Sequence, residues 1–226
     1  RSKILEKYMK PKSQKEIFIN GEGDAWLKRN KREGSISSEN MQVNKFILEY
    51  LLSLPIPNSK KIKLMEVGCG DGSLLFNLKK KRKWQLYGID PSKKAIKIAK
   101  DFGINASVST AEKLPFDDDT FDLIIFGFCL YLCDTTDLFK IAYEAHRTLK
   151  NRSWLMIIDF WSPELKKIPY KHQEGVFSSK FDFSKMFSWH PSYIKYDHLI
   201  RDFAEFKYTD NKDNWLAVTT LRKIEN

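Results

Sequence analysis

The stretch Leu64-Met65-Glu66-Val67-Gly68-Cys69-Gly70-Asp71-Gly72 constrains this chain more than any other, because an apolar run breaks there into three alternating glycines. A strand that ends this way turns sharply into a helix. Without Cβ atoms, Gly68 and Gly70 let a ligand lie against the main chain, and Gly72 lets the following helix pack closely. Asp90 follows about 20 positions later, after Gln85-Leu86-Tyr87-Gly88-Ile89, where a carboxylate accepts hydrogen bonds from ribose hydroxyls. Together these features describe a nucleoside site. The spacing argues against a dinucleotide, whose fingerprint has glycine at the first, third and sixth positions. Counted from Gly68, the sixth position is Ser73, and the third glycine comes one place early at Gly72.

The rest of the chain alternates in the same manner. Strands are expected at 62–67, 85–89, 105–109, 121–126 and 153–159, with helices at 72–82, 92–102 and 135–149, which implies a parallel sheet covered on both faces. A helix over 38–52, capped by Ser37 or Ser38, presents Val43, Ile47, Tyr50 and Leu54 inward and precedes the first strand. Leu138, Ile141, Ala142, Ala145 and Leu149 form one apolar stripe of a scaffolding helix. The expected fold class is therefore α/β, a doubly wound, mostly parallel, seven-stranded sheet in one domain spanning 1–226. Within it, 1–36 is a polar, irregular arm with one helical turn around Trp26. Residues 37–160 form the cofactor-binding core, 163–200 an acceptor-binding cover, and 204–222 a terminal antiparallel hairpin pairing Glu205–Tyr208 with Trp215–Leu221.

Four segments carry a resemblance to the class I S-adenosylmethionine-dependent methyltransferases of the ubiquinone/menaquinone-methylase-like type 11 group. They are the glycine turn, Asp90-Pro91-Ser92, Ala111-Glu112-Lys113-Leu114-Pro115-Phe116 with Phe121-Asp122-Leu123-Ile124-Ile125, and Glu144-Ala145-His146-Arg147-Thr148-Leu149-Lys150. Their order and spacing hold from about Lys60 to Trp161. The resemblance implies S-adenosyl-L-methionine as cofactor, with Glu66, Gly68, Gly70, Asp90, Pro91, Ala111, Glu112, Phe126 and Phe128 around it. Thr110 departs from the pattern, standing where many relatives carry an acid that reaches the adenine amino group. Gly21–Asn30 and Tyr170–Ser178 are each similar to segments of methylases associated with bacterial surface-sugar pathways. That likeness implies that Trp26 closes over the cofactor while Arg29 pairs with its carboxylate, and that the acceptor is a sugar or nucleotide-linked sugar. A lipid or quinone acceptor, or a non-catalytic cofactor-binding subunit, is the alternative.

Composition narrows the partners. A chain of 226 residues suits a single ordinary core, and three cysteines without paired spacing fit a reducing, cytoplasmic setting. No stretch approaches the roughly 18 apolar residues of a membrane helix. The net charge of +10 favours anionic company, but Lys79–Lys83 end a helix and Lys93, Lys94, Lys97 and Lys100 line the outer side of another, so most read as a solvated face rather than a nucleic-acid site. Asp117, Asp118 and Asp119 are adjacent acids whose side chains diverge, and no metal site is expected. For proton removal from an acceptor, His172 and His190 are the leading candidates, followed by Tyr131 and then Tyr170. Phe177, Phe181, Phe183, Phe187, Trp189 and Tyr193 give the cover the makings of an apolar pocket.

Overall fold

A computed structural model describes residues 13–32 and 38–225 of the chain. The rest of the expected arm, with Gly34 and Ser35, and the Ser37 cap lie outside the described residues. In chain order the strands are β1 Lys63–Val67, β2 Gln85–Asp90, β3 Asn105–Val108, β4 Phe121–Gly127, β5 Leu149–Phe160, β6 Lys166–Pro169, β7 Phe177–Lys180, β8 Tyr193–Asp202 and β9 Trp215–Lys223. Seven of them form one sheet in the order β3-β2-β1-β4-β5-β9-β8, parallel except where β9 runs against β5 and β8, while β6 and β7 make a separate hairpin.

Both faces of the sheet are covered, which explains why β1, β4 and β5 read as near-continuous apolar runs. On one face lie α3 (Ser38–Ser53), α4 (Ser73–Lys79) and α5 (Lys93–Asp101), which bury Val43, Ile47, Leu51, Leu75, Leu78, Ile96 and Ala99 against Leu64, Leu123, Ile125 and Ile158. Tyr50 packs at the rim of this core with its hydroxyl donating to Asp197, and Leu51 joins the inward residues as its fully buried neighbour. The opposite face carries α6 (Leu138–Thr148) and the short α7 (Lys185–Ser188), which close over Met65, Ile124, Phe126 and Leu155 with Ile141, Ala145 and Phe187. The expected stripe of α6 thus faces the core, and the helix is introduced by a 3-10 turn over Thr135–Asp137.

Two expectations change. The arm is helical rather than irregular: α1 (Gln14–Ile17) runs through a π-helical turn, Phe18–Glu22, into α2 (Gly23–Arg32), with a kink at Gly21, where φ is 142°. Its start carries a capping box, Ser13 and Glu16 satisfying each other's backbone N–H groups. The terminal hairpin begins earlier than expected, because β9 pairs with β8 at 193–202 and not with Glu205–Tyr208. β8 is a largely exposed edge strand with a register shift between Lys195 and Asp197, so it shows no period-two pattern. The alternating Glu205-Phe206-Lys207-Tyr208 instead follows a turn in which Asp202 accepts from the N–H groups of Ala204 and Glu205 and Phe206 adopts a φ of 55°.

Candidate cofactor and acceptor site

Parallel pairing of β1 with β2 and β4 aligns Val67 with Ile89 and Phe126, so the glycine turn, Asp90 and Gly127 emerge side by side. Gly68 and Gly70 have φ values of 76° and 51° for different reasons. A Cβ on Gly68 would stand 2.5 Å from the Cβ of Cys129, so packing against the loop after β4 requires a glycine here. A Cβ on Gly70 would meet nothing within 4 Å, which leaves its main chain open on one side. Gly72 brings Ala99 of α5 close, as its spacing implied. We expect Gly68→Ala to lower stability by about 2–4 kcal/mol through clash and left-handed strain. Gly70→Ala should cost only about 1–2 kcal/mol while weakening ligand binding; thermal unfolding and calorimetry on both variants separate the two roles.

Two acids stand beside this turn. Asp90 accepts from Gly70 N at 3.0 Å and from Ser92 N at 2.8 Å, which ties the ends of β1 and β2 together. Burial raises its carboxyl to about 6. Glu66 is 6% exposed, and its Oε2 has no hydrogen-bond partner among the described residues. Burial, with Asp90 and Asp71 nearby, pushes its carboxyl well above the usual range. An orphaned carboxylate oxygen at the head of a glycine turn is a vacancy for a cationic donor. The amino group of S-adenosylmethionine meets that requirement, and Asp90 stands where ribose hydroxyls would need an acceptor, so the residues present fit this cofactor.

The arm closes over the turn through polar contacts that span the whole mouth. Asp24 Oδ1 accepts from Ser92 Oγ at 2.6 Å and Lys94 N at 3.1 Å, and Gly23 packs on Ser92 so closely that a Cβ would stand 3.2 Å from its nitrogen. Pro91, half-buried, lies in the same turn. At the other end of the arm, Gln14 joins three segments: its N–H donates to Asp134 at 2.8 Å, its side chain donates to Leu132 O at 2.8 Å, and its Oε1 accepts from Phe177 N at 2.6 Å. Lys15 bonds Asp137 at 2.9 Å and lies 3.5 Å from Glu112. Glu112 also accepts from Thr110 Oγ1, so its carboxylate is engaged with the arm. Ala111 is buried in the core beside it, leaving its backbone as the group to offer.

The residues expected around the methyl-transfer position are partly united. Arg29 pairs with buried Glu22 and donates to the Tyr170 hydroxyl at 3.0 Å, while Trp26 stands beside the Tyr131 hydroxyl. Burial raises the Tyr131 phenol. His172 is exposed, its ring 5.2 Å from that of Tyr170. His190 is elsewhere: its ring lies 5.1 Å from His146 near the carboxyl end of α6, at the opposite end of the strands. The Phe126 expectation also needs correction, because its side chain is fully buried and directed toward Phe187, 6.4 Å away, where it serves the core. Phe128 takes a φ of 49° at the mouth and sets its ring edge-on to Phe160.

The cover expected over 163–200 divides into three parts. Only the β6–β7 hairpin borders the mouth. Residues 181–188 turn onto the sheet, where Phe183 and Phe187 are buried, and 193–200 join it as β8. A shallow depression of about 480 Å³ lined by Lys63, Tyr87, Leu114 and Phe116 lies at the amino ends of the strands, away from this site.

Asp159, at the end of β5, was not among the sequence candidates, although an acid closing the apolar run Trp154–Ile158 was a visible signal. Its carboxylate accepts from the N–H groups of Leu130, Tyr131 and Phe160 and so fixes the loop that carries Phe128 and Tyr131. Burial raises its carboxyl to about 7. The folded protein therefore holds a proton there between about pH 4 and 7 that the unfolded chain has released, and stability falls as pH rises through that window, by roughly 1.4 kcal/mol per unit at most. Asp90 and Glu66 act with the same sign. Urea unfolding at pH 5 and pH 7 should show this decline, and Asp159→Asn should flatten it; an equal slope in the variant would remove Asp159 as its source.

This sheet order, with a glycine turn after the first strand and an acid after the second, defines the Rossmann-like fold of the class I methyltransferases. Residues 65–157 match the family model described as a methyltransferase domain. The uncharacterised methyltransferase YcgJ of Bacillus subtilis is 33% identical over 85 residues, 34% of this chain and 32% of that protein. The uncharacterised protein MJ1123 of Methanocaldococcus jannaschii is 33% identical over 95 residues, 41% of this chain and 42% of that protein. The chain thus matches less than half the length of these curated relatives. Among solved structures, the 1,6-didemethyltoxoflavin-N1-methyltransferase of Burkholderia thailandensis, with its acceptor and S-adenosylhomocysteine bound, is similar with a TM-score of 0.68, 13% identity and coverage of 96% of this chain and 92% of that one. The PH0226 protein of Pyrococcus horikoshii gives a TM-score of 0.61 at 20% identity, covering 83% and 93%. A methyltransferase-domain match over 65–157 thus coincides with a fold shared with solved methyltransferases. Among the described residues, no helix is long and apolar enough to cross a membrane, and no His, Cys, Asp and Glu grouping suits a metal.

Proposed function

We propose that this chain transfers a methyl group from S-adenosylmethionine to an oxygen or nitrogen of a small or glycan-linked acceptor, a sugar or nucleotide-linked sugar, in the cytoplasm. The observation that carries the reading is the buried, unpartnered Glu66 Oε2 beside the open main chain of Gly70 and the carboxylate of Asp90. The sugar class is supported by the meeting of its two marker segments, since Arg29 of the first donates to Tyr170 of the second.

When bound, the cofactor supplies a methyl group already activated by its sulfonium charge. The protein's task is to align an acceptor with it and to exclude water. Glu66 takes the ammonium, Gly70 offers backbone, and Asp90 accepts from the ribose. The arm, latched by Gln14, Lys15 and Asp24, shields that arrangement from solvent. Tyr131 and Tyr170 present hydroxyls toward the mouth, and His172 beside Tyr170 is the base available to an acceptor hydroxyl. His190, beside His146, takes no part.

The same fold also serves other chemistry, since the [4+2]-cyclase SpnF is similar with a TM-score of 0.60, so methyl transfer is the step to measure. Incubation with methyl-labelled S-adenosylmethionine and a set of nucleotide-linked sugars should give a labelled sugar and S-adenosylhomocysteine. Label appearing only in quinones or lipids would reject the sugar acceptor, and S-adenosylmethionine bound without turnover on any acceptor would reject the enzyme.

A further inference from the structure

The segment that carries α4 and α5 holds most of the protein's net positive charge. Between Lys60 and Gly103 there are twelve Lys and Arg against four Asp and Glu, a net +8 of the chain's +10. Three of those acids, Glu66, Asp71 and Asp90, belong to the glycine turn, which leaves Asp101 on the outer surface. Ten of the eleven lysines are exposed, and among the described residues only Lys94 is ion-paired, 3.8 Å from Asp24.

Apart from Lys63, which lines the depression beside Tyr87 and Phe116, these cations gather along α4 and α5. Lys79 Nζ donates to the carbonyls of Phe102 at 3.3 Å and Gly103 at 2.9 Å, which joins the ends of α4 and α5. Lys83 N donates to Asn58 at 2.7 Å and the Gln85 side chain to Lys60 O at 2.8 Å, which brings Lys60 and Lys61 beside the same corner. Gathering this many like charges without counterions costs self-repulsion that a solvated face does not need.

The chemistry of the face selects its partner. Lysine is a hydrated point charge that attracts a diffuse negative surface, whereas arginine's planar fork grips individual phosphates. Here ten lysines accompany one arginine, and that one is occupied: Arg82 donates to Leu52 O at 2.6 Å and lies over Trp84. Nor is there a free ring on which a base could stack, because Phe76 stacks on Phe102 at 4.7 Å beneath the ammonium of Lys80. Clusters of four to eight lysines on a helical surface suit anionic lipid headgroups.

We propose that this face adsorbs the protein onto an anionic membrane surface. Lys60, Lys61 and Lys79–Lys83 stand at the amino ends of β1 and β2, opposite the carboxyl ends where the mouth lies, so adsorption leaves the site accessible. This proposal stands independently of the acceptor's identity.

The test is co-sedimentation of the full chain with vesicles of phosphatidylcholine alone or with about 30 mol % phosphatidylglycerol, at about 0.1 M and about 0.5 M salt. Binding should require phosphatidylglycerol, disappear at the higher salt, and weaken at least about tenfold when Lys79, Lys80, Lys81 and Lys83 are changed to Gln. Lys93→Gln with Lys97→Gln and Lys100→Gln on α5 provides a second variant should the first not fold, and unchanged S-adenosylhomocysteine affinity in calorimetry certifies either. Equal sedimentation with both vesicle types, or undiminished binding by the folded variants, would overturn the proposal. So would tighter binding to a single-stranded RNA oligonucleotide than to the anionic vesicles at the same salt, which would give the face to nucleic acid.

Discussion

Asp90→Ala is expected to reduce S-adenosylmethionine affinity at least about tenfold, and toward a hundredfold if its structural contacts also matter. A charge-assisted hydrogen bond to ribose contributes roughly 1.5–3 kcal/mol. The same carboxylate holds Gly70 N and Ser92 N, so its removal also loosens the turn that receives the ligand. Asp90→Asn distinguishes the two contributions, because the amide can still accept one of those N–H groups but loses the charge. Calorimetry with S-adenosylhomocysteine, alongside thermal unfolding, gives both quantities. Unchanged affinity in a folded Asp90→Ala protein would remove the ribose assignment.

The second large effect is expected from the arm. Deleting residues 1–32 should weaken cofactor binding by about tenfold or more while leaving a cooperatively folding sheet, because Glu66, Gly70 and Asp90 belong to the part that remains. The arm makes its contacts with the mouth through side chains: Gln14 to Leu132 and Phe177, Lys15 to Asp137, Asp24 to Ser92, Arg29 to Tyr170. Losing them uncovers the site and frees Tyr170. A milder form of the same experiment is Gly23→Val, whose branched side chain has no room against the backbone of Ser92. If the truncated and full chains bind the cofactor equally, the arm is packing alone.

The parts of this molecule legible in its sequence are those written in local pattern. The glycine turn, Asp90, the parallel core and the stripe of α6 follow from backbone geometry and periodicity, which leave a trace in consecutive residues. The rest depends on partners distant in sequence. Glu22, Gln14 and Lys15 are polar residues in a polar segment, and their roles come from contacts more than 100 positions away for Gln14 and Lys15. The helical start of the arm has a readable sign in Ser13 and Glu16, but α1 is only four residues long and the apolar run Ile17–Ile19 falls at the π-helical turn, which leaves no stripe to read. Gly68 shows how a correct motif can conceal its cause: the reason for a glycine there is Cys129, on another strand's loop. His190 has the residue type and sequence neighbours of an acceptor-side base, and only the path of 181–192 across the sheet removes it from the mouth.

The placement of β9 between β5 and β8 has a consequence for how the protein is made. Strands β1 to β4 complete their pairings among themselves, apart from the edge of β4 that takes β5, and can collapse with their helices while synthesis continues. β5, however, keeps one edge unpaired until Trp215–Lys223 arrives, and β8 has no sheet to join before then. An apolar strand with an open edge is a template for another chain. The slow step, and the moment of greatest exposure to aggregation, is therefore expected at the arrival of β9, so that truncations or fusions just before Trp215 should lower soluble yield far more than changes at the amino terminus.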